Sequence, residues 1–246
     1  MRSIQLPLLI GHRGLMGFAP ENTLASFKYA HEKKLQWIEF DVNMTHDGVL
    51  IICHDHHVAR TTNGSGNVIE MDYQQISQLD AGSWFSSEFS HEFIPTLEQT
   101  LAFCQSVGLN CNIELKPDKN MNQNQQRIFC EKCMVILKPY FPCLQILFSS
   151  FDIELLIIMR SLSKQIHLGL LVNKDQNMET LLELHQKLHF YSFHFSAKLI
   201  TPSILKRLKP LNVKILVFTV NNKTKAKKLI EQGVDAIFTN QLTTLE

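Results

Sequence analysis

No run of apolar residues in this chain approaches the ~18 to 20 needed to span a bilayer. The opening stretch from Met1 to Gly14 has one Arg and a short apolar run. It lacks the longer apolar core and the small-residue cleavage site of an export signal. The expectation is a chain that starts near Met1 and stays cytoplasmic. Net charge is nearly absent too, with 24 Lys and Arg against 23 Asp and Glu. That balance excludes a broad nucleic-acid-binding face, which needs a strongly basic surface. Nine of the basic residues follow position 197. They are read as solvated helix faces rather than as a membrane-surface patch. Internal repeats, low-complexity tracts and long linkers are missing as well, so residues 1–246 are read as one domain.

Cysteine is sparse: Cys53, Cys104, Cys111, Cys130, Cys133 and Cys143. A protein of 246 residues does not need disulfide staples, and several of these residues sit in apolar runs. Buried free thiols in a reducing compartment are expected. Cys130 and Cys133 form a C-x-x-C with no second pair and no nearby His. Packing is therefore preferred to a zinc or redox site.

Short runs rich in Val, Ile, Leu and Phe alternate with longer amphipathic stretches. Strands are expected at Leu8–Gly11, Trp37–Val42, Val49–Cys53, Cys111–Leu115, Gln145–Ser149, His167–Val172, Phe190–Phe195, Lys214–Val220 and Ala236–Thr239. Near-continuous apolar strands are buried on both faces, as in parallel sheets. Helix starts are signalled by Asn22 or Thr23, by Thr96 with Gln99, by Asp152, by Thr201 before Pro202, and by Asn222. This alternation implies a parallel sheet, closed or open.

One junction breaks the pattern. Only Asn43 to Gly48 separates the second run from the third, too little for a parallel crossover of a dozen residues or so. Asp47–Gly48 reads as a two-residue hairpin turn, which makes the third run antiparallel and leaves eight parallel strands. A loop centred there places Asp41 opposite His54. The stretch from about Asp55 to Pro95 does not alternate and carries Trp84, Phe85, Phe89 and Phe93. A long irregular segment in a compact domain is usually functional, and it is read as a small cap inserted over the catalytic end.

The chemistry sits at strand ends. His12 and Arg13 follow the first strand, Glu39 and Asp41 lie in the second, His54 follows the third, and Glu114 and Lys116 lie in the fourth. Residues two apart in a strand share a face, so each of the two pairs points one way. Three converging carboxylates need compensation, because burying charge costs several kcal/mol per ion. An oxygen-ligated Mg²⁺ or Ca²⁺ supplies it, whereas zinc favours His and Cys. The histidines titrate near neutrality. Arg13 and Lys116 add positive charge suited to phosphate. Together these residues describe a site for phosphoryl chemistry. His46 is read as turn surface, and His167, His185, His189 and His194 as packing or surface. His56 and His57 are candidates for the site's edge.

A series of motifs runs through His12-Arg13-Gly14, Pro20-Glu21-Asn22-Thr23, Glu39-Phe40-Asp41-Val42, Asp47-Gly48 and His54-Asp55. It continues through Arg60-Thr61-Thr62, Leu79-Asp80-Ala81-Gly82 and Ile94-Pro95-Thr96-Leu97-Glu98. Asn112-Ile113-Glu114-Leu115-Lys116, Ser149-Ser150-Phe151, Phe218-Thr219-Val220-Asn221 and Gly233-Val234-Asp235-Ala236-Ile237 complete it. In these motifs the chain resembles the glycerophosphodiester phosphodiesterase family. The resemblance implies a distorted TIM (β/α)8 barrel with a small inserted segment. It implies hydrolysis of small-molecule glycerophosphodiesters to sn-glycerol 3-phosphate and an alcohol. It further implies His12 and His54 as acid–base pair and Glu39, Asp41 and Glu114 as ligands of one divalent cation. Arg13 and Lys116 would hold phosphate. Phe218 stands where the family often has Trp or Tyr, as a smaller platform on the glycerol side. Asn240, where Thr-Asp is the commoner ending, is expected to be structural and away from the catalytic set. A related lysophospholipase D or phosphoinositide-type enzyme would instead need an apolar rim, for which Trp84, Phe85 and Phe89 are the candidates. A binding protein that has lost catalysis should lack one of the histidines or acids, and this chain has them all. Nothing in the sequence signals an oligomeric state.

Overall fold

The structure is a computed structural model, and it describes residues 3–241. Its strands are β1 (Leu9–Gly11), β2 (Trp37–Met44), β3 (Leu50–Ile52), β4 (Asn110–Leu115), β5 (Ile146–Ser150), β6 (His167–Leu171), β7 (Ser192–Ser196), β8 (Lys214–Phe218) and β9 (Ala236–Thr239). All but β3 run parallel, and β1 pairs with both β2 and β9, which closes the ring. The helices are α1 (Leu24–Glu32), α2 (Tyr73–Ile76), α3 (Leu97–Val107), α4 (Gln123–Leu137), α5 (Ile153–Leu162), α6 (Met178–Leu188), α7 (Pro202–Leu208) and α8 (Lys223–Glu231). The result is an eight-stranded parallel barrel with helices between its strands, a TIM barrel. Strand ends differ from expectation by a residue or two, as hydrogen-bond boundaries commonly do.

Alternation along the strands separates two apolar layers. Ile10, Trp37, Leu147, Leu216, Ala236 and Phe238 form one cluster inside the barrel. Ile38, Phe40, Ile113, Phe148 and Ile237 face the other way and pack under the helices. Cys130 and Cys133 belong to that outer layer, buried on α4 beside Phe129 and Leu137. Burial pushes the Cys130 thiol up to about 12. The C-x-x-C is thus core packing.

The capping residues act as their chemistry dictates. Thr23, Thr96, Asp152, Thr201 and Asn222 each accept a hydrogen bond from a first-turn N–H, satisfying donors that a helix start leaves open. Thr96 and Gln99 form the reciprocal box. Since Thr23 caps α1, Asn22 is free for another task.

The β2–β3 hairpin differs from its expected register by one residue. Val42 pairs with Ile52, Asn43 with Ile51 and Met44 with Leu50. The turn is His46-Asp47-Gly48, closed by Thr45 N donating to Val49 O at 3.0 Å. Gly48 is left-handed at φ 80°, the conformation that a three-residue hairpin loop demands of its last residue. The extra residue places Cys53, not His54, opposite Asp41, and Cys53 N donates to Asp41 O at 3.0 Å.

The 55–95 stretch is a packed lobe rather than an open loop. It folds as α2 and short 3-10 turns around Ile51, Cys53, Val58, Val68, Ile76, Ala81 and Ile94. Trp84, Phe85 and Phe89 meet edge to face within it, with centroids 5.7 and 5.6 Å apart.

Candidate active site

In such barrels the C-terminal ends of the strands carry the chemistry. Here β2 and β4 lie side by side with Asp41 in register with Glu114. Glu39, Asp41 and Glu114 each bring a carboxylate oxygen to within 4.8 Å of the others. Among the described residues this is the one such group of His, Cys, Asp or Glu. Glu39 and Asp41 are buried, and Glu39 Oε1 and Asp41 Oδ1 have no hydrogen-bond partner. Burial, then Asp41, then Glu114 push the Glu39 carboxyl well above its usual range. Burial and Asp41 push Glu114 up to about 7, against the pull of Lys116. Burial also raises Asp41, but Arg13, His54 and Lys116 outweigh it and hold this carboxyl below its usual range. Two proton-hungry acids and two orphaned oxygens around one point fit a hard divalent cation held by oxygen.

Cations frame the trio. Arg13 N donates to Glu39 Oε2 at 2.8 Å, and its Nε lies 3.5 Å from Asp41 Oδ2. Lys116 Nζ lies 3.1 Å from Glu114 Oε1 and 3.9 Å from Asp41 Oδ1. Asn22 Nδ2 donates to Asp41 Oδ2 at 2.9 Å.

Both histidines reach this centre. His12 Nε2 lies 3.9 Å from Glu39 Oε2, and burial, then Arg13, lower its imidazole to about 4. His54 Nε2 lies 3.3 Å from Lys116 Nζ. Its Nδ1 lies 2.6 Å from Asp55 Oδ1, and Asp55 pairs in turn with Arg60 Nε. His54 therefore arrives through the bend after β3, not through pairing with Asp41.

His12, Arg13, Glu39, His54, Glu114 and Phe218 line one cavity of about 140 Å³. Phe218 meets Phe151 edge-on, with centroids 6.0 Å apart. A second cavity opens beside it at Glu114 and Phe151, with Lys116, Asp152 and His56 in its wall. Of the two edge candidates, His56 takes that place. His57 instead lies inside the lobe, with Ala59 N 3.3 Å from its Nδ1 and Gly66 N 3.3 Å from its Nε2. His46 sits on the surface, 2.9 Å from Asp72. None of Trp84, Phe85 and Phe89 lines either cavity.

Three supporting residues went unassigned in the sequence. Glu21 is buried and receives both Arg60 Nη atoms, at 2.8 and 2.9 Å, and Arg13 Nη1 at 2.7 Å. Glu21 thus ties the lobe to Arg13. Glu21 and Arg60 stood inside quoted motifs, but their pairing spans 39 residues of sequence. The third corrects an expectation: Asn240 is not remote from the catalytic set, because its Oδ1 lies 2.7 Å from His12 Nδ1.

Comparison with known proteins agrees with this geometry. Residues 12–244 match the glycerophosphoryl diester phosphodiesterase family. The chain is 33% identical over 242 residues to a glycerophosphodiester phosphodiesterase of Caldanaerobacter subterraneus, covering 97% of this chain and 96% of that one. It is 29% identical over 246 residues to a Bacillus subtilis protein of the same name, covering 95% and 83%. It is also similar to an Oleispira antarctica phosphodiesterase solved with the product sn-glycerol-3-phosphate, at 34% identity and a TM-score of 0.89 over 96% of this chain and 93% of that one. This chain belongs to the glycerophosphoryl diester phosphodiesterase family.

Proposed function

We propose that this protein is a metal-dependent phosphoric diester hydrolase that converts glycerophosphodiesters to sn-glycerol 3-phosphate and an alcohol. The observation that carries the reading is the placing of two imidazoles, Arg13 and Lys116 around three carboxylates at one end of the barrel. Its whole-length relatives bear the same activity in their names. One domain carries the function, with the 55–95 lobe as its insertion.

Glu39, Asp41 and Glu114 would hold one Mg²⁺ or Ca²⁺, which when bound neutralises charge on the phosphate oxygens. Arg13 and Lys116 hold those oxygens from the protein side. His12 and His54 form the acid–base pair, one accepting the proton of the attacking oxygen and the other protonating the departing alcohol. Phe218 and Phe151 wall the glycerol side. The second cavity, beside Glu114 and Phe151, gives the alcohol room to leave. The lysophospholipid alternative loses its support, since the lobe's aromatic cluster lies outside both cavities. Cys53, Cys104, Cys111, Cys130 and Cys133 are buried free thiols, which suits a reducing, cytoplasmic setting.

Product analysis tests the proposal. Glycerophosphocholine, glycerophosphoethanolamine and glycerophosphoserine should each yield sn-glycerol 3-phosphate, with kcat/KM values within about tenfold of one another. Release of a phosphorylated alcohol with free glycerol would contradict it.

A further inference from the structure

At the end of the barrel away from the acidic trio, the loops that lead into β6, β7 and β8 surround a cavity of about 780 Å³. It shares no residue with the two cavities at the active site. The strands are parallel, so His167 at the start of β6, Tyr191 just before β7 and Lys214 at the start of β8 all lie at their N-terminal end. α5 and α6 bring Arg160 and Lys187 there from their last turns. The volume falls in the range of small-molecule sites, roughly 300–1,000 Å³. The proposed hydrolysis uses none of these residues.

The lining is cationic. Arg160, Lys164, Lys187 and Lys214 line it with His167 and His189, and among the described residues no Asp or Glu does. Basic residues at helix C-termini ordinarily answer the negative end of the macrodipole. Arg160 does so: its Nε donates to Leu188 O at 2.9 Å, its Nη1 to Ile166 O at 3.0 Å and its Nη2 to His189 O at 3.3 Å. Those carbonyls carry no net charge, so the guanidinium keeps its own. Burial lowers it from its ordinary value, and no acid offsets that. Lys214 Nζ is answered by Asp235 at 2.8 Å. Lys164 and Lys187 make no ion pair among the described residues. Four cations thus meet one carboxylate around a concave wall, and a cleft lined by one sign of charge concentrates counter-ions. Gln165, Tyr191 and Asn212 add neutral polar groups. Phosphate oxygens are strong acceptors that Arg and Lys both bind. Cations spread over three loops suit more than one such group.

We propose that this cavity is a second binding site, for a small molecule that carries two or more phosphate groups. Arg160 is the fixed contact, because the loop carbonyls hold its guanidinium in place while its Nη2 has a second N–H to give. Lys164, Lys187 and Lys214 stand exposed around it and close on the ligand. The occupant lies at the opposite end from the acidic trio, so it is not the diester undergoing hydrolysis. A flat anionic membrane would meet the lysines but not the recessed Arg160, which favours a soluble ligand.

Titration calorimetry on the full chain tests this, without added divalent cations. The probes are fructose 1,6-bisphosphate and tripolyphosphate, with inorganic phosphate for comparison. At least one probe should bind, and more tightly than phosphate does. Lys164→Glu combined with Lys187→Glu reverses two exposed charges and should weaken that binding at least about tenfold, since a like charge facing an anion repels it. Two controls should keep Kd within about twofold, because charges beyond a Debye length are screened at physiological salt. One is Lys116→Ala in the active site. The other is Lys225→Glu with Lys227→Glu on α8, outside the cavity. Binding of neither probe would overturn the site. So would equal losses in the cavity and α8 variants, which mark non-specific attraction. A loss confined to Lys116→Ala would also overturn it, by putting the probe in the active site. Sedimentation with equimolar phosphatidylglycerol and phosphatidylcholine vesicles is the last arm. Binding to vesicles and to neither soluble probe would replace the small molecule by a membrane surface and overturn the proposal.

Discussion

His12 Nδ1 lies 2.7 Å from Asn240 Oδ1, which joins the end of β1 to the end of β9. An amide oxygen can only accept, so the shared proton sits on Nδ1. His12 Nε2 is left as the atom that faces Glu39. A neutral amide here fixes the imidazole's tautomer and orientation. Asn240→Ala should lower kcat by about 10- to 100-fold, part of the usual contribution of a positioned proton transfer, with KM little changed. Asn240→Asp should keep more activity than Ala, because a carboxylate also accepts from Nδ1. Steady-state kinetics and nitrogen NMR of the histidine tautomer check this. A wild-type ring protonated on Nε2 alone would contradict it.

The pairing of imidazoles makes a sharper demand. His12→Ala and His54→Ala should each cost about 100-fold or more in kcat. The proposed acid–base pairing has both act in one step, so the double variant should lose far less than the product of the two single losses. Additive losses, read from kcat on glycerophosphocholine, would separate the two residues mechanistically.

The lobe and the barrel share the Glu21 carboxylate, gripped by Arg60 from one side and Arg13 from the other. Arg60→Ala removes two bonds to a buried acid. The loss should be about 1.5–3 kcal/mol, the scale of a hydrogen bond to a charged group. Arg13 still answers Glu21, so the barrel should stay folded. Urea titration measures the loss. An unchanged midpoint would mean that the lobe is not fastened to the site through this acid.

Most of the site is legible because it depends on local periodicity. Glu39 with Asp41, and Glu114 with Lys116, share faces by strand alternation alone, and the Thr96–Gln99 box is written in four consecutive residues. The hairpin register is less legible, since it turns on whether Gly48 closes a two- or a three-residue loop. Contacts between distant segments leave no local trace. Asn240 meets His12 across 228 residues of chain, and His194 reads as ordinary packing until the closed barrel turns it inward.

Acid–base linkage gives the ion a pH signature. Glu114 is raised from an ordinary value of 4.5 to about 7, and Glu39 well above its own. A carboxyl raised by folding contributes stability that is fully present below the unfolded value and is lost as pH rises through the folded one. Asp41 is lowered, so its contribution is lost only as pH falls through its folded value. An ion bound to the trio displaces the protons on Glu39 and Glu114 and removes their penalty at high pH. The rise in Tm on adding Mg²⁺ or Ca²⁺ should therefore be larger at pH 8 than at pH 5. Without ion, Glu114→Gln should gain stability relative to wild type over the same interval. The ion-induced increment is the quantity to read by differential scanning calorimetry. An increment that shrinks as pH rises would contradict the linkage.

The central claim is that the three carboxylates hold a cation on which diester hydrolysis depends. The most direct measurement is release of sn-glycerol 3-phosphate from glycerophosphocholine by protein stripped with EDTA and checked to be metal-free. The assay is then repeated after adding back Mg²⁺ or Ca²⁺, with Glu39→Gln, Asp41→Asn and Glu114→Gln in parallel. The account predicts no turnover by the stripped protein, recovery on adding one of the ions, and none in the three folded variants. Full activity in the verified metal-free protein would contradict it.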